Sequence, residues 1–307
     1  MPLILSTSWN AFRCANAKDM LFEIKKLDFS DVELSFNLTN AMVSETSALI
    51  KNNGFKVRSV HNFCPFPEKF SREDALPDCY SMASFDQEER RLAIKYAKRT
   101  IDTASLLGAE AVVLHCGRVQ IQDQTRKLIE LYERGLQETE NFRAIKEEFI
   151  RERATIAQPF FDHALSSLEE LNKYAEAKAI NLGIENRFYY CEIPSLEEVG
   201  VILDEFKSSR IFYWHDTGHA QVAENLSFVK HKDYLDLYAN RMIGSHIHNV
   251  IGCQDHQAPI NGQLDFSELK PYLRKETLKV IEAHHPATPK ELQASKELLE
   301  NQFDGIL

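Results

Sequence analysis

The sequence predicts an α/β fold: a (β/α)8 barrel with a helical insertion after its fourth strand. Three observations carry this. Short β-branched or apolar runs alternate with longer amphipathic stretches from one terminus to the other. The alternation produces eight strand candidates, more than an open doubly wound sheet typically holds. The chain also lacks any GxGxxG or Walker-type loop, the ligand signature expected of the open sheet.

The elements follow in order. "LILSTSW" is the first strand and "AKDMLFEIKKL" the helix after it. "DVELSF" leads into "TNAMVSETSALIKNNG", and "KVRSVHNF" precedes "EERRLAIKYAKRTIDTASLLG"; "NNG" and "LLG" supply C-terminal stops. The fourth strand is "AEAVVLHCG". The stretch after it, residues 118–179, is about twice a normal crossover. Its first part is highly charged with helical periodicity, which predicts a hairpin or a long helix over the barrel mouth. Residues 160–179 are read as the regular fourth helix. A charged helix is usually a solvated face; the alternatives are a lid or a subunit contact in a homo-oligomer. "INLGIENR", "RIFYWHD", "MIGSHIHN" and "LKVIEAHH" are strands five to eight. "SLEEVGVILDEF", "DYLDLYAN", "FSELKPYL" and "PKELQASKELLENQF" are the helical stretches among and after them. No internal repeat beyond this unit and no low-complexity tract appears, so a single domain over residues 1–307 is expected.

Composition narrows the function classes. No apolar run reaches the roughly 18 residues of a membrane span, and "MPLILSTSWNAF" lacks the basic and apolar regions of a signal peptide. A cytoplasmic protein is expected. Six scattered cysteines with no CxxC pair suit reduced thiols. Cys64 and Cys116 are read as small apolar packing residues. The net charge of -10 disfavours a nucleic-acid partner and suits a small uncharged one.

In such a barrel the C-terminal strand ends converge on one face, which carries the active site. Nine of the 11 histidines fall at strand ends or just beyond them, leaving His163 and His231 in helical stretches. "WHDTGHA" alone brings His215, Asp216 and His219 together. Acids sit there too, inside otherwise apolar strands, where an unpaired carboxylate is expensive to desolvate. A shared metal ion removes that penalty. Carboxylates mixed with imidazoles, without CxxC, point to Mn, Zn, Co or Mg. Strand histidines are as a rule hydrogen-bonded core residues, and His215, His248, His284 and His285 are read so. His215 and Asp216 cannot both face the mouth, whereas His246 and His248 share a face, so spacing does not choose between these two. Glu33 is read either as a partner of a barrel arginine or lysine, or as catalytic.

"SVHNFCPFP", "VVLHCG", "LGIENR", "HDTGHA", "GSHIHN", "DHQAPINGQLDF" and "VIEAHH" occur in an order and spacing that resemble the xylose isomerase-like TIM-barrel superfamily. That superfamily holds sugar isomerases and epimerases, and the endonuclease IV-type apurinic endonucleases. The resemblance implies a divalent metal ion held by Glu185, Asp216, His246 and Glu282. It implies a sugar or sugar-phosphate substrate, with Glu185 and Glu282 exchanging a proton across an enediolate. His219 would contact substrate, with His61, His115, Arg187 and His256 as further substrate-binding candidates. Gly252 stands where some ketose epimerases carry arginine, so the grip on substrate hydroxyls would pass to Arg187 or Arg118, each of which is equally read as a structural salt bridge. The endonuclease branch is the alternative, a zinc-dependent phosphodiesterase with His61, His115 and Glu185 on one ion, and His219 and His256 on another. Gln254 stands where that branch has an aspartate, with Asp255 one step out of register. A barrel that binds metal without catalysis is the third reading.

Overall fold

The structure, a computed structural model, describes residues 2–307. Eight parallel strands close into a barrel: β1 (Ile4–Ser6), β2 (Asp31–Leu34), β3 (Lys56–His61), β4 (Ala111–Leu114), β5 (Asn181–Glu185), β6 (Ile211–Asp216), β7 (Met242–Ile247) and β10 (Leu278–Ile281). Between the last two, an antiparallel hairpin of β8 (Asn249–Ile251) and β9 (Gln254–Gln257) rises from the loop; the sequence reading did not contain it. Around the barrel run α1 (Ala17–Lys25), α2 (Asn40–Asn53), α3 (Gln87–Leu107), α4 (Thr125–Glu133), α5 (Glu140–Lys178), α6 (Leu196–Glu205), α7 (Thr217–Asn225), α8 (His231–Tyr238) and α9 (Pro289–Gln302). The predicted stops hold: Gly54 and Gly108 end α2 and α3 at φ 73 and 71, in the left-handed region. Among the described residues no helix is long and apolar enough to cross a membrane.

Side-chain alternation builds the site. Leu5, Val112, Leu114 and Ile281 join the large core under the helices, whereas Ile4, Ala111, Val113, Trp214 and Val280 form a separate cluster inside the barrel. Continuing the inward set by two residues along each strand reaches His115, Asp216 and Glu282. The strand interior thus becomes the site floor. Trp214 fills that interior because its neighbours are glycines: a Cβ at Gly244 would lie 2.1 Å from Trp214 Cζ3, and one at Gly183 2.8 Å from Cε3. The indole stands edge-on to His246, with ring centroids 5.1 Å apart.

Three elements differ from expectation. "FSELKPYL" folds as two 3-10 turns, Phe266–Glu268 and Lys270–Tyr272, because Pro271 has no N–H to continue a helix. Helix α7 went unread, since "TGHAQVAEN" has little apolar periodicity; the Asp216 side chain starts it by accepting from His219 N. The insertion is α4 followed by one continuous α5 of 39 residues with Pro159 inside, so the expected fourth helix is simply its second half. Leu128, Leu131, Phe142 and Phe149 of the insertion form a second core with Phe188, Val222 and Val250 on the barrel rim. Its inner face is therefore packed against the mouth; most of its charged residues face outward, but Arg153 is buried and donates to Glu192 O at 3.1 Å and Glu198 Oε2 at 2.7 Å.

Candidate metal centre

The strand ends gather ligand atoms of Glu185, Asp216, His246 and Glu282 within 4.8 Å of one another, and all four residues are buried. His246 Nδ1 lies 2.5 Å from Glu185 Oε1, 3.0 Å from Glu282 Oε2 and 3.7 Å from Asp216 Oδ2. On the ring's other side, Nε2 stands 3.1 Å from Glu33 Oε1, while Glu33 Oε2 accepts from Ser59 Oγ at 2.7 Å. Glu33 therefore meets neither arginine nor lysine. It fixes the ring so that Nε2 keeps the proton and Nδ1 faces the acids. The structure thereby separates the two histidines that spacing could not. His248 Nδ1 accepts from His256 N at 2.8 Å, so its Nε2 carries the proton and donates to Asp216 at 2.9 Å. Gly218 permits this contact, because a Cβ there would sit 2.0 Å from His248 Cε1. His248 orients Asp216 from behind, a role the core-residue reading did not include.

Four more groups adjoin, two of them variations on the quartet through Glu282: His61 with His246, and His256 with His284. His61, His115 and Glu185 bring ligand atoms within 4.8 Å, as do Asp216, His219, His248 and His256. His61 Nδ1 donates to Asn62 O at 3.0 Å, leaving its Nε2 as an acceptor, whereas His219 Nδ1 sits between Asn186 O at 3.1 Å and Arg187 Nη1 at 3.3 Å, with Nε2 directed to Asp255 at 3.7 Å. His115 Nε2 is 2.7 Å from Glu185 Oε2, yet it is buried without a hydrogen bond of acceptable geometry. His256 stacks between His248 and His284, with centroids 4.2 and 3.8 Å away. Parallel rings aim their lone pairs side by side, which suits stacking better than shared chelation. Arg187 reaches the site, but Nη1 donates to Glu185 at 2.9 Å and Nε to Glu192 at 3.1 Å. His215 points away and meets Tyr213 Oη at 2.8 Å and His231 Nε2 at 3.0 Å, as alternation requires.

Burial alone would raise these carboxyls, but the neighbouring imidazoles reverse it. His115 and His246 hold Glu185 well below the usual range, His246 does the same for Glu282, and His219 and His248 for Asp216. Burial would lower His256, yet Asp255 carries it up to about 9, while burial takes His219 down to about 4. Three ionised, buried carboxylates around one imidazole nitrogen, plus the orphaned Nε2 of His115, form a donor set that fits a divalent cation. Asp78, Asn186 and Glu192 escaped sequence reading. Asn186 lies within the quoted "LGIENR" stretch and Glu192 five residues beyond Arg187, while Asp78 sits in a loop with no periodic signal.

The chain matches the family described as xylose isomerase-like TIM barrel over residues 21–302. No curated protein matches it by sequence. Solved structures similar to it include a D-tagatose 3-epimerase-like protein, at 20% identity over 100% of this chain and 98% of that one, with TM-score 0.69. A 3-keto-D-glucoside 4-epimerase from E. coli aligns at 15% identity over 98% of each chain, TM-score 0.67. The IolI protein with a bound zinc atom aligns at 13% identity over 100% of this chain and 99% of that one, TM-score 0.69. These likenesses show a shared fold. The family match, spanning nearly every strand and helix described above, makes the chain a member of the xylose isomerase-like TIM-barrel family.

Proposed function

We propose that the chain is a divalent-metal-dependent epimerase or isomerase of a small, unphosphorylated sugar. One observation carries this: Glu185 and Glu282 flank the quartet, with Asp216 and His246 on the strands between them, and both carboxylates reach the same His246 nitrogen. A divalent cation in the quartet would polarise a substrate oxygen and acidify the neighbouring C–H bond. One glutamate takes the proton from one face of that carbon and the other supplies a proton to the opposite face. Nε2 of His61 accepts from a substrate hydroxyl and the His219 imidazole meets another, groups that a polyol offers in number.

Charge supports an unphosphorylated substrate. Barrels of this class often hold phosphate in the loops after strands seven and eight. Here those loops carry Glu282 and Asp255, the latter pairing the cationic His256 at 3.1 Å, and the α9 N-terminus is closed by the Thr288–Glu291 capping box. Arg187 is paired with Glu185 and Glu192, and Arg118 lies 3.7 Å from Asp78 and 3.8 Å from Glu192. A second reading, zinc-dependent phosphodiester cleavage, draws on the His61–His115–Glu185 group as a further ion position. The same acidic rim repels a polyanion.

The test is deuterium incorporation from D2O into a panel of free ketoses by protein loaded with Mn, Co, Mg or Zn. Exchange at a single carbon is expected, falling by at least about 100-fold in Glu185→Gln and Glu282→Gln. Cleavage of abasic DNA without ketose exchange would replace this reading by the second. Exchange confined to ketose phosphates would keep the reaction and refute the substrate charge.

A further inference from the structure

We infer that Asp78 is a positioning residue for His115: a loop carboxylate that keeps the proton on Nδ1 and presents Nε2 to Glu185. The inference rests on the metal-centre reading and extends it to a residue outside the strand ends. Asp78 lies in residues 62–86, a connection from β3 to α3 without helix or strand. Its Oδ1 is 3.0 Å from His115 Nδ1, and its Oδ2 is 3.7 Å from Arg118 Nη2. His115 Nε2, on the opposite edge of the ring, is 2.7 Å from Glu185 Oε2. Carboxylate, imidazole and site acid thus stand in a row, the arrangement by which an outer acid fixes the tautomer and rotation of a ligating or substrate-binding histidine.

The loop is held firmly enough to make that contact selective. Ser81 N donates to Glu89 Oε1 at 3.0 Å, and Ser167 Oγ of α5 donates to Met82 O at 2.8 Å. The segment also lies against Gly117, two residues beyond His115. A Cβ there would be 2.3 Å from Ser81 Oγ and 3.0 Å from Ala83 N, and Gly117 has φ +97. Glycine at 117 therefore serves both the turn and the close approach of the loop that brings Asp78 in. His61 reaches the same tautomer through a backbone carbonyl, Asn62 O. The two neighbouring imidazoles are set alike by different means.

The experiment uses the full chain, with and without zinc, as wild type, Asp78→Asn, Asp78→Ala, His115→Gln and the Asp78→Ala/His115→Gln double variant. Long-range proton–nitrogen NMR of the imidazoles reads the His115 tautomer, and chelator competition reads zinc affinity. The wild type is expected to show a proton on His115 Nδ1 in both states. Asp78→Asn keeps an acceptor and preserves it, whereas Asp78→Ala loses the fixed tautomer and weakens zinc binding by about 10- to 100-fold. In the His115→Gln background, Asp78→Ala should change zinc affinity no further. The inference is overturned by a wild-type Nδ1 without its proton, by an unchanged tautomer in Asp78→Ala, or by an equal loss of affinity in both backgrounds. A wild type that binds no zinc overturns the metal-centre reading instead, and zinc-free spectra recorded above about pH 9, where His115 has lost its second proton, still decide the role of Asp78.

Discussion

Trp214 and its two glycines tie the barrel interior to the site, and a substitution there should register in both. In Gly244→Ala the new methyl would meet the rigid indole at 2.1 Å, so ring or backbone must move. Overpacking of this kind destabilises by about 1–3 kcal/mol. Because the indole abuts His246, metal affinity should fall with the urea midpoint; an unchanged midpoint would refute the packing argument. Lys279, fully buried near the opposite end of its strand, allows a test by pH. Its Nζ donates to Arg274 O at 2.9 Å and Thr277 O at 3.0 Å, and burial lowers it from an ordinary 10.5 to about 8. Between those values the unfolded chain keeps a proton that the folded chain has released, so this group makes folding more favourable as pH rises from about 8 to 10.5. The stability of the wild type relative to Lys279→Met should climb across that window, by at most about 3 kcal/mol. Cysteine and tyrosine titrations are common to both proteins and cancel in the difference; a flat difference refutes the assignment.

Among the elements, those with strong periodicity were legible and those made by tertiary contact were not. All eight barrel strands and helices α2, α3, α6 and α9 follow from apolar spacing and their caps. The β8–β9 hairpin did not, because its strands are three and four residues long and pair only with each other. Helix α7 starts at the Asp216 cap, a local signal with no apolar periodicity behind it, and is seated by a glycine pressed on His248, a contact that no window of sequence contains. The insertion was legible as helix but not as wall: its charged residues dominate the pattern, while the side chains that seat it are few and widely spaced. Phe149 is fully buried among Tyr190 and Phe228, at centroid distances of 5.5 and 6.4 Å. Phe149→Ala should destabilise by about 3–5 kcal/mol. Limited proteolysis should then cut residues 118–150 before the barrel. Cleavage no faster than in the wild type would show that the insertion does not depend on this second core.

At the scale of the molecule, the barrel is a device for bringing distant acids to one point. Histidine and acid placement at strand ends made the quartet legible as a gathering, and alternation excluded His215. It could not show that Glu33 orients His246, that His248 stands behind Asp216, or that Asp78 comes from a loop, since each depends on distances across the closed sheet. The gathering has a global consequence. A cation that binds only the folded barrel stabilises it by RT ln(1 + [L]/Kd), about 2.7 kcal/mol at 100 times Kd. For a chain of this size that corresponds to a rise in melting temperature of roughly 5 °C. Calorimetry of chelator-treated protein, titrated with Zn or Mn, should show a midpoint that climbs with the logarithm of metal concentration once above Kd. Glu282→Gln removes one of the quartet's charged ligands, so its curve should start to climb only at higher concentration. If the midpoint of the native chain ignores every divalent ion, the buried carboxylates are balanced by their imidazole partners alone, and the barrel centre is an ion-pair network rather than a metal site.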